Sequence, residues 1–105
     1  MKKIFSLLAV LAVFFIYSNA YASVKKGVVV YYNYSSDKII IETSMGYTCA
    51  EVYSGYSVDE GHIIIGELES YGFKDVYDST NDNAMRIWID EYWMSKEEAL
   101  DWLGS

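Results

Sequence analysis

The sequence predicts a mainly β domain: a small antiparallel barrel or strongly bent sheet of about six short strands, closed by a short C-terminal α-helix. Three features carry that expectation. Short runs of β-branched and aromatic residues recur along the chain, each ended by a turn signal. The last of these runs alternates strictly between apolar and polar side chains. Beyond it, at Ser95, the apolar period changes from that of a strand to that of a helix.

The first run is Gly27 to Tyr34, closed by Ser35-Ser36-Asp37, whose side chains bond readily to local backbone. Lys38 to Thr43 is the second, and Met45-Gly46 turns the chain into Tyr47 to Tyr53. In that third run Tyr47, Cys49, Glu51 and Tyr53 share one face and Thr48, Ala50 and Val52 the other. The smaller, less charged face is expected inside. Ser54 to Gly61 is the longest connector, and its glycines and acidic pair mark it as the segment expected to move or to touch a partner.

His62 to Leu68 contains Ile63-Ile64-Ile65 followed by Gly66, a glycine of the kind that marks a bulge or a close approach of backbones. Phe73 to Asp78 and Ala84 to Glu91 flank the polar hairpin loop Ser79-Thr80-Asn81-Asp82-Asn83. Met85, Ile87 and Ile89 fall on one face of the final run and Arg86, Trp88 and Asp90 on the other, so a one-residue slip would bury two charges. Ser95-Lys96-Glu97-Glu98 is a capping box, with Met94 and Ala99 placed to form its apolar staple. Ala99, Leu100, Trp102 and Leu103 then give a helix of two turns an apolar stripe, which must dock to persist.

Short strands, glycine-marked bends and a terminal helix are similar in outline to SH3-like and OB-like barrels. That likeness is architectural, and such barrels host many functions.

Met1-Lys2-Lys3 followed by the apolar run Ile4 to Ile16 and by Ala20-Tyr21-Ala22 reads as a cleavable secretory signal of bacterial type, residues 1–22. A spanning helix wants about 20 apolar residues, and this run turns polar by Ser18 and Asn19. The remaining 83 residues, 23–105, suffice for one globular domain with one core. That domain is expected in the periplasm or outside the cell, without membrane insertion once the signal is removed. Its single cysteine, Cys49, cannot make an intramolecular disulfide, so the core must hold it.

Six basic and 15 acidic side chains follow Ala22, a formal charge of −9. Such a field repels phosphate backbones, so nucleic acid is not expected as a partner, whereas a cationic partner is attracted. Cys49 and His62 are the only residues of their kinds, so a thiol–imidazole dyad is the one nucleophilic pair that the composition permits, and it defines the alternative function of a small cysteine-dependent hydrolase or thiol enzyme. No protease or transferase motif surrounds either residue. Asp78 to Asn83 is rich in oxygen donors, but Asn83 stands where a calcium loop of the EF-hand type needs glycine and Ile89 where it needs glutamate. Neither a metal nor a cofactor is expected.

Aromatic content is what most exceeds a structural minimum, because so many tyrosines and tryptophans cannot all be buried in a domain this small. The expected function is therefore a non-enzymatic binding module for a protein, peptide or glycan, with Tyr53, Tyr56 and Tyr71 as the ligand-binding residues near the long loop. Intact-mass measurement on the exported protein should give a chain that starts at Ser23; a chain retaining residues 1–22 would contradict the cleavage site.

Overall fold

The computed structural model describes residues 24–105. The proposed signal, 1–22, lies outside the described residues. Six strands and one helix follow in order: β1 (Lys25–Asn33), β2 (Lys38–Thr43), β3 (Gly46–Ser54), β4 (Ile63–Gly66), β5 (Gly72–Asp78), β6 (Asn83–Met94) and α1 (Lys96–Gly104).

Two three-stranded meanders, β1-β2-β3 and β4-β5-β6, join through antiparallel pairing of β3 with β6 and of β1 with β4. The order β1-β2-β3-β6-β5-β4 closes into a barrel. The return of β4 to lie beside β1 is a Greek-key connection, and closure leaves no strand with a wholly unpaired edge. All three loops 34–37, 55–62 and 79–82 lie at one rim. The β2–β3 turn, the 67–71 segment and the start of α1 lie at the other.

Inward-facing Val29, Ile39, Ile41, Ala50, Val52, Ile64, Val76, Met85, Ile87 and Ile89 form the barrel core. Loop residues Val58 and Leu68 enter the same cluster, one from each rim. The expected faces of β3 are the observed ones, since Thr48, Ala50 and Val52 are inside, and Thr48 Oγ1 donates to the Leu68 carbonyl at 2.8 Å. Gly66 is the predicted close approach: a Cβ there would lie 2.5 Å from Val76 Cγ1.

A second apolar layer lies on the outside of the barrel. Ile40, Cys49 and Ala99 are fully buried there, with Val30, Tyr31, Tyr47, Met94, Trp102 and Leu103 packed against them. This is the seat of α1. The capping box is formed as the sequence predicts, with Glu98 N donating to Ser95 Oγ at 3.2 Å and Ser95 N donating to Glu98 Oε1 at 3.1 Å. Leu100 departs from expectation and is 38 % exposed. Ala99, Trp102 and Leu103 fill the narrow seat, and Leu100 is turned about 100° along the helix from Ala99.

No basic residue occupies the last turn of α1, yet its carbonyls are satisfied from the barrel. Lys38 Nζ donates to the carbonyls of Trp102 (3.2 Å) and Ser105 (3.0 Å) and lies 4.8 Å from the Trp102 ring centroid. Asn33 Nδ2 donates to the Leu103 carbonyl at 3.1 Å.

Irregularities in β1, β3 and β6 set which side chains face out, the one in β3 leaving Tyr53 as an extra residue between Val52 and Ser54. Val29 pairs with Ile41 and Tyr31 with Ile40, so Val30 is an extra residue that puts both Val30 and Tyr31 against the helix seat. Cys49 pairs with Glu91 and Ala50 with Ile89, so Asp90 is extra in β6. After this bulge Tyr92 returns to pack on the barrel core.

Gly66→Ala should lower the unfolding free energy by about 1–3 kcal/mol, because an added methyl overpacks a seam with no room for it. Urea denaturation at unchanged slope measures this; an unchanged midpoint would contradict the close β4–β5 approach.

Candidate functional site

Beyond the seat of α1, which takes in Tyr47 and Cys49 of β3, the outer face continues over the Tyr53 end of β3, over β6 and over β5, and a row of aromatic side chains occupies it. Tyr53 on β3 lies 4.9 Å from Phe73 on β5 at an interplanar angle of 81°, and Phe73 lies 4.8 Å from Trp88 on β6 at 79°. These are edge-to-face contacts, the arrangement that ring quadrupoles favour. Phe73 and Trp88 are register partners across β5 and β6. Phe73 is 52 % exposed and Tyr53 49 %. The Arg86 guanidinium sits 5.9 Å from the Phe73 centroid, held by Asp75 through bonds of 2.9 and 3.2 Å.

Of the three tyrosines expected from sequence, the structure brings two together. Tyr56, in the loop after β3, donates its hydroxyl to the Tyr53 carbonyl at 2.8 Å. Tyr71 sits at the opposite rim, just before β5, in a second aromatic group: its ring is 4.9 Å from Tyr92 at 56°, and Tyr92 is 5.2 Å from Trp93 at 82°. Proximity to Glu91 raises the Tyr71 phenol above the ordinary tyrosine range, with burial and Tyr92 adding to it.

Carboxylates accompany both groups. Asp90 accepts from Trp88 Nε1 at 2.8 Å and from Trp102 Nε1 at 3.3 Å, which ties the aromatic row to the helix. Burial pushes the neighbouring Glu51 upward, and the Asp90 charge adds to the shift. Glu69 Oε2 accepts from Trp93 Nε1 at 3.0 Å. Among the described residues no three His, Cys, Asp or Glu side chains converge to hold a metal ion.

The connector expected to move or to touch a partner is tied to β1 along its second half, against the first of those expectations. Gly61 N donates to the Val29 carbonyl at 2.7 Å, Val29 N to the His62 carbonyl at 2.9 Å, and Tyr32 N to Glu60 Oε2 at 3.1 Å. Tyr34, whose ring stacks on Tyr32 at 4.2 Å, donates its hydroxyl to Asp59. Val58 is drawn into the core immediately before these ties. A loop that supplies a core residue and several inter-segment bonds has lost the low local stability that permits large motion.

Cys49 and His62 are not brought together. Cys49 lies beneath α1, where burial, reinforced by Glu91 and Asp90, pushes its thiol up to about 12. His62 immediately precedes β4, and β2 and β1 stand between β3 and β4 on that side of the barrel, a separation of roughly 14 Å at ordinary strand spacing. His62 Nδ1 instead meets Asp78 Oδ2 at 2.8 Å. Asp78 is fully buried, and its other oxygen accepts from Thr80 N and Asn81 N at 3.2 and 3.3 Å. The hairpin loop is thus the turn expected from sequence, with Asp82 in the left-handed region at φ 48°.

Sequence reasoning missed the His62–Asp78 tie and the Tyr92–Trp93–Glu69 group. The first depends on the β4–β5 register, which places Ile64 opposite Asp78. The second had a local signal in the adjacent pair Tyr92-Trp93 just before the helix cap, but nothing in the sequence aims Trp93 at Glu69.

Because the folded chain holds the Cys49 proton to about 12, against 9.0 ordinarily, the neutral thiol contributes its full stability below pH 9, and that contribution is lost as pH rises from 9 towards 12. Native protein at about pH 8 should resist iodoacetamide until denaturant opens the helix seat. Its denaturation midpoint should also fall more steeply through that alkaline window than the midpoint of Cys49→Ala. Rapid labelling of the folded protein would contradict the sealed seat.

No family model, curated protein or solved structure matches the chain.

Proposed function

We propose that the chain is an exported, non-enzymatic binding module of the bacterial envelope or exterior, which takes a protein, peptide or glycan ligand on its outward aromatic surface. Tyr53 and Tyr56 form one part of that surface and Tyr71 another, with Phe73 and Trp88 continuing the first across the sheet. The observation that carries the reading is the Tyr53–Phe73–Trp88 row. Rings packed edge to face yet half open to solvent give a rigid contact area that needs little ordering when a ligand arrives.

Aromatic residues suit sheet surfaces in general, and what favours a contact surface here is that three of them interlock in one contiguous, partly exposed patch. The N-terminal signal supports export, and the charge of −9 beyond Ala22 supports a partner of positive charge. The non-enzymatic reading is supported against its alternative by the separation of Cys49 and His62: Cys49 is buried beneath α1, and His62 is bonded to Asp78. Asp78 and His62 serve the fold by tying the β5–β6 hairpin to the entry of β4.

Crosslinking in the native envelope with a tagged chain, followed by identification of the captured molecule, tests the reading. The double variant Tyr53→Ser, Phe73→Ser should lose that capture while keeping its circular dichroism spectrum. Truncating one central aromatic anchor typically costs about 2 kcal/mol, so the affinity of the pair should fall by well over ten-fold. Capture that survives the double variant unchanged would contradict the aromatic row as the binding surface.

A further inference from the structure

We propose that the corner formed by Tyr71, Tyr92 and Trp93, with Glu69 and Glu91 beside it, binds the ammonium group of a lysine side chain presented by a basic peptide segment of a partner. This deepens the binding-module reading and rests on it, because it names the ligand chemistry at the second aromatic group.

The rings come first. Tyr92 packs on the core, and Tyr71 and Trp93, each in ring contact with it, are 62 % and 57 % exposed. Inclined at 56° and 82° to their common neighbour, neither ring stacks flat on it, so each keeps aromatic surface open to solvent. Clustered aromatic faces attract a cation through their quadrupoles, which is how alkylammonium groups are held in aromatic cages.

The charges point the same way. Among the described residues, no lysine or arginine forms an ion pair with Glu69 or Glu91; Lys74 is engaged with Glu67 and Arg86 with Asp75. Glu69 is fixed through Oε2 by the Trp93 indole, and its Oε1 is buried without any hydrogen-bond partner. A carboxylate immobilised in this way, with one oxygen unsatisfied, leaves its charge uncompensated beside the rings. A cation over the exposed rings acts on the Glu69 and Glu91 charges through space, without reaching the buried oxygen.

The backbone adds an independent observation. Trp93 has φ 57°, in the left-handed region that glycine and asparagine occupy readily and that a bulky aromatic residue rarely adopts. The conformation itself has a structural purpose, since it turns the chain from β6 into the helix cap while its backbone passes close to Gly46. That purpose would be served as well by glycine. The indole at this position packs on Tyr92, donates to Glu69 and leaves the rest of its surface exposed beside Tyr92.

Lysine fits better than the alternatives of the same charge. A guanidinium binds carboxylates best through a two-pronged fork, and Glu69 already has one oxygen committed to Trp93. A choline headgroup carries a phosphate next to its ammonium, which Glu69, Glu91 and the overall charge of −9 would repel.

The test is an NMR titration of the exported protein, reading the Trp93 indole N–H and the Tyr71 and Tyr92 rings. Probes are acetyl-Gly-Gly-Lys-Gly-Gly-amide, the same peptide with norleucine for lysine, and phosphocholine. The lysine peptide should give saturable shifts that weaken with added salt, and the norleucine peptide should give none. Tyr71→Ala and Glu69→Gln should each weaken binding at least five-fold. Trp93→Gly should keep the fold while losing the same binding, an outcome that a merely structural role for the indole does not produce. Equal shifts with norleucine, no saturable shift with lysine, wild-type affinity in Tyr71→Ala, or tighter binding of phosphocholine would each overturn the proposal. Because neither Tyr53 nor Phe73 is altered here, failure at this corner leaves partner capture by the aromatic row intact, so the two readings fail separately.

Discussion

Burial of both faces of β2 and β3 is the constraint on which the rest of the structure depends. Ile39 and Ile41 point into the barrel, and Ile40 between them points out, yet all three are fully buried. An isolated barrel strand cannot do this, because its outer face meets water. The outer face here is sealed by α1, a nine-residue helix too short to persist alone, which exchanges its own instability for the cover it gives Ile40 and Cys49. Lys38 and Asn33 fix the far end of the helix, and the Ser95 capping box fixes its beginning.

A helix of this length covers one side only, and the consequence is the open outer face over β5, β6 and the Tyr53 end of β3. The Asp90 bulge lies at the border between the two. Asp90 joins Trp88 of the open row to Trp102 of the helix, so the same carboxylate that belongs to the cover also steadies the aromatic surface. Past the bulge the chain carries Tyr92 back to the core and Trp93 outward before entering the cap. The second aromatic group therefore follows from the irregularities at the end of β6 and the entry to the helix, whereas Tyr53 of the first is itself the extra residue of a bulge in β3.

Elements governed by local chemistry were legible in the sequence. The second strand runs from Lys38 to Thr43 as expected, the β3 faces were assigned correctly from side-chain size and charge, and the capping box and Gly66 were recognisable from residue type. What was not legible required knowing what lies across from a residue. Alternation placed Cys49 on the outer face, but no periodicity reveals that a helix covers it. The final strand extends to Met94 rather than ending near Glu91, because a bulge breaks the period of two without ending the ladder. The connector after β3 had the composition of a free loop, and only its buried Val58 and its bonds to β1 show otherwise. Within the candidate site, Tyr53 and Tyr56 were placed correctly as neighbours, whereas the partners of Tyr71 depend on β6 and on the left-handed turn at Trp93.

Hydroxyl-radical footprinting of the exported protein, read residue by residue by mass spectrometry, tests this division into a sealed and an open outer face most directly. Tyr53, Tyr71, Phe73 and Trp93 should be modified rapidly, while Cys49, chemically the most reactive of all, stays protected until the fold is opened. Early oxidation of Cys49 together with protection of those aromatic residues would contradict the account.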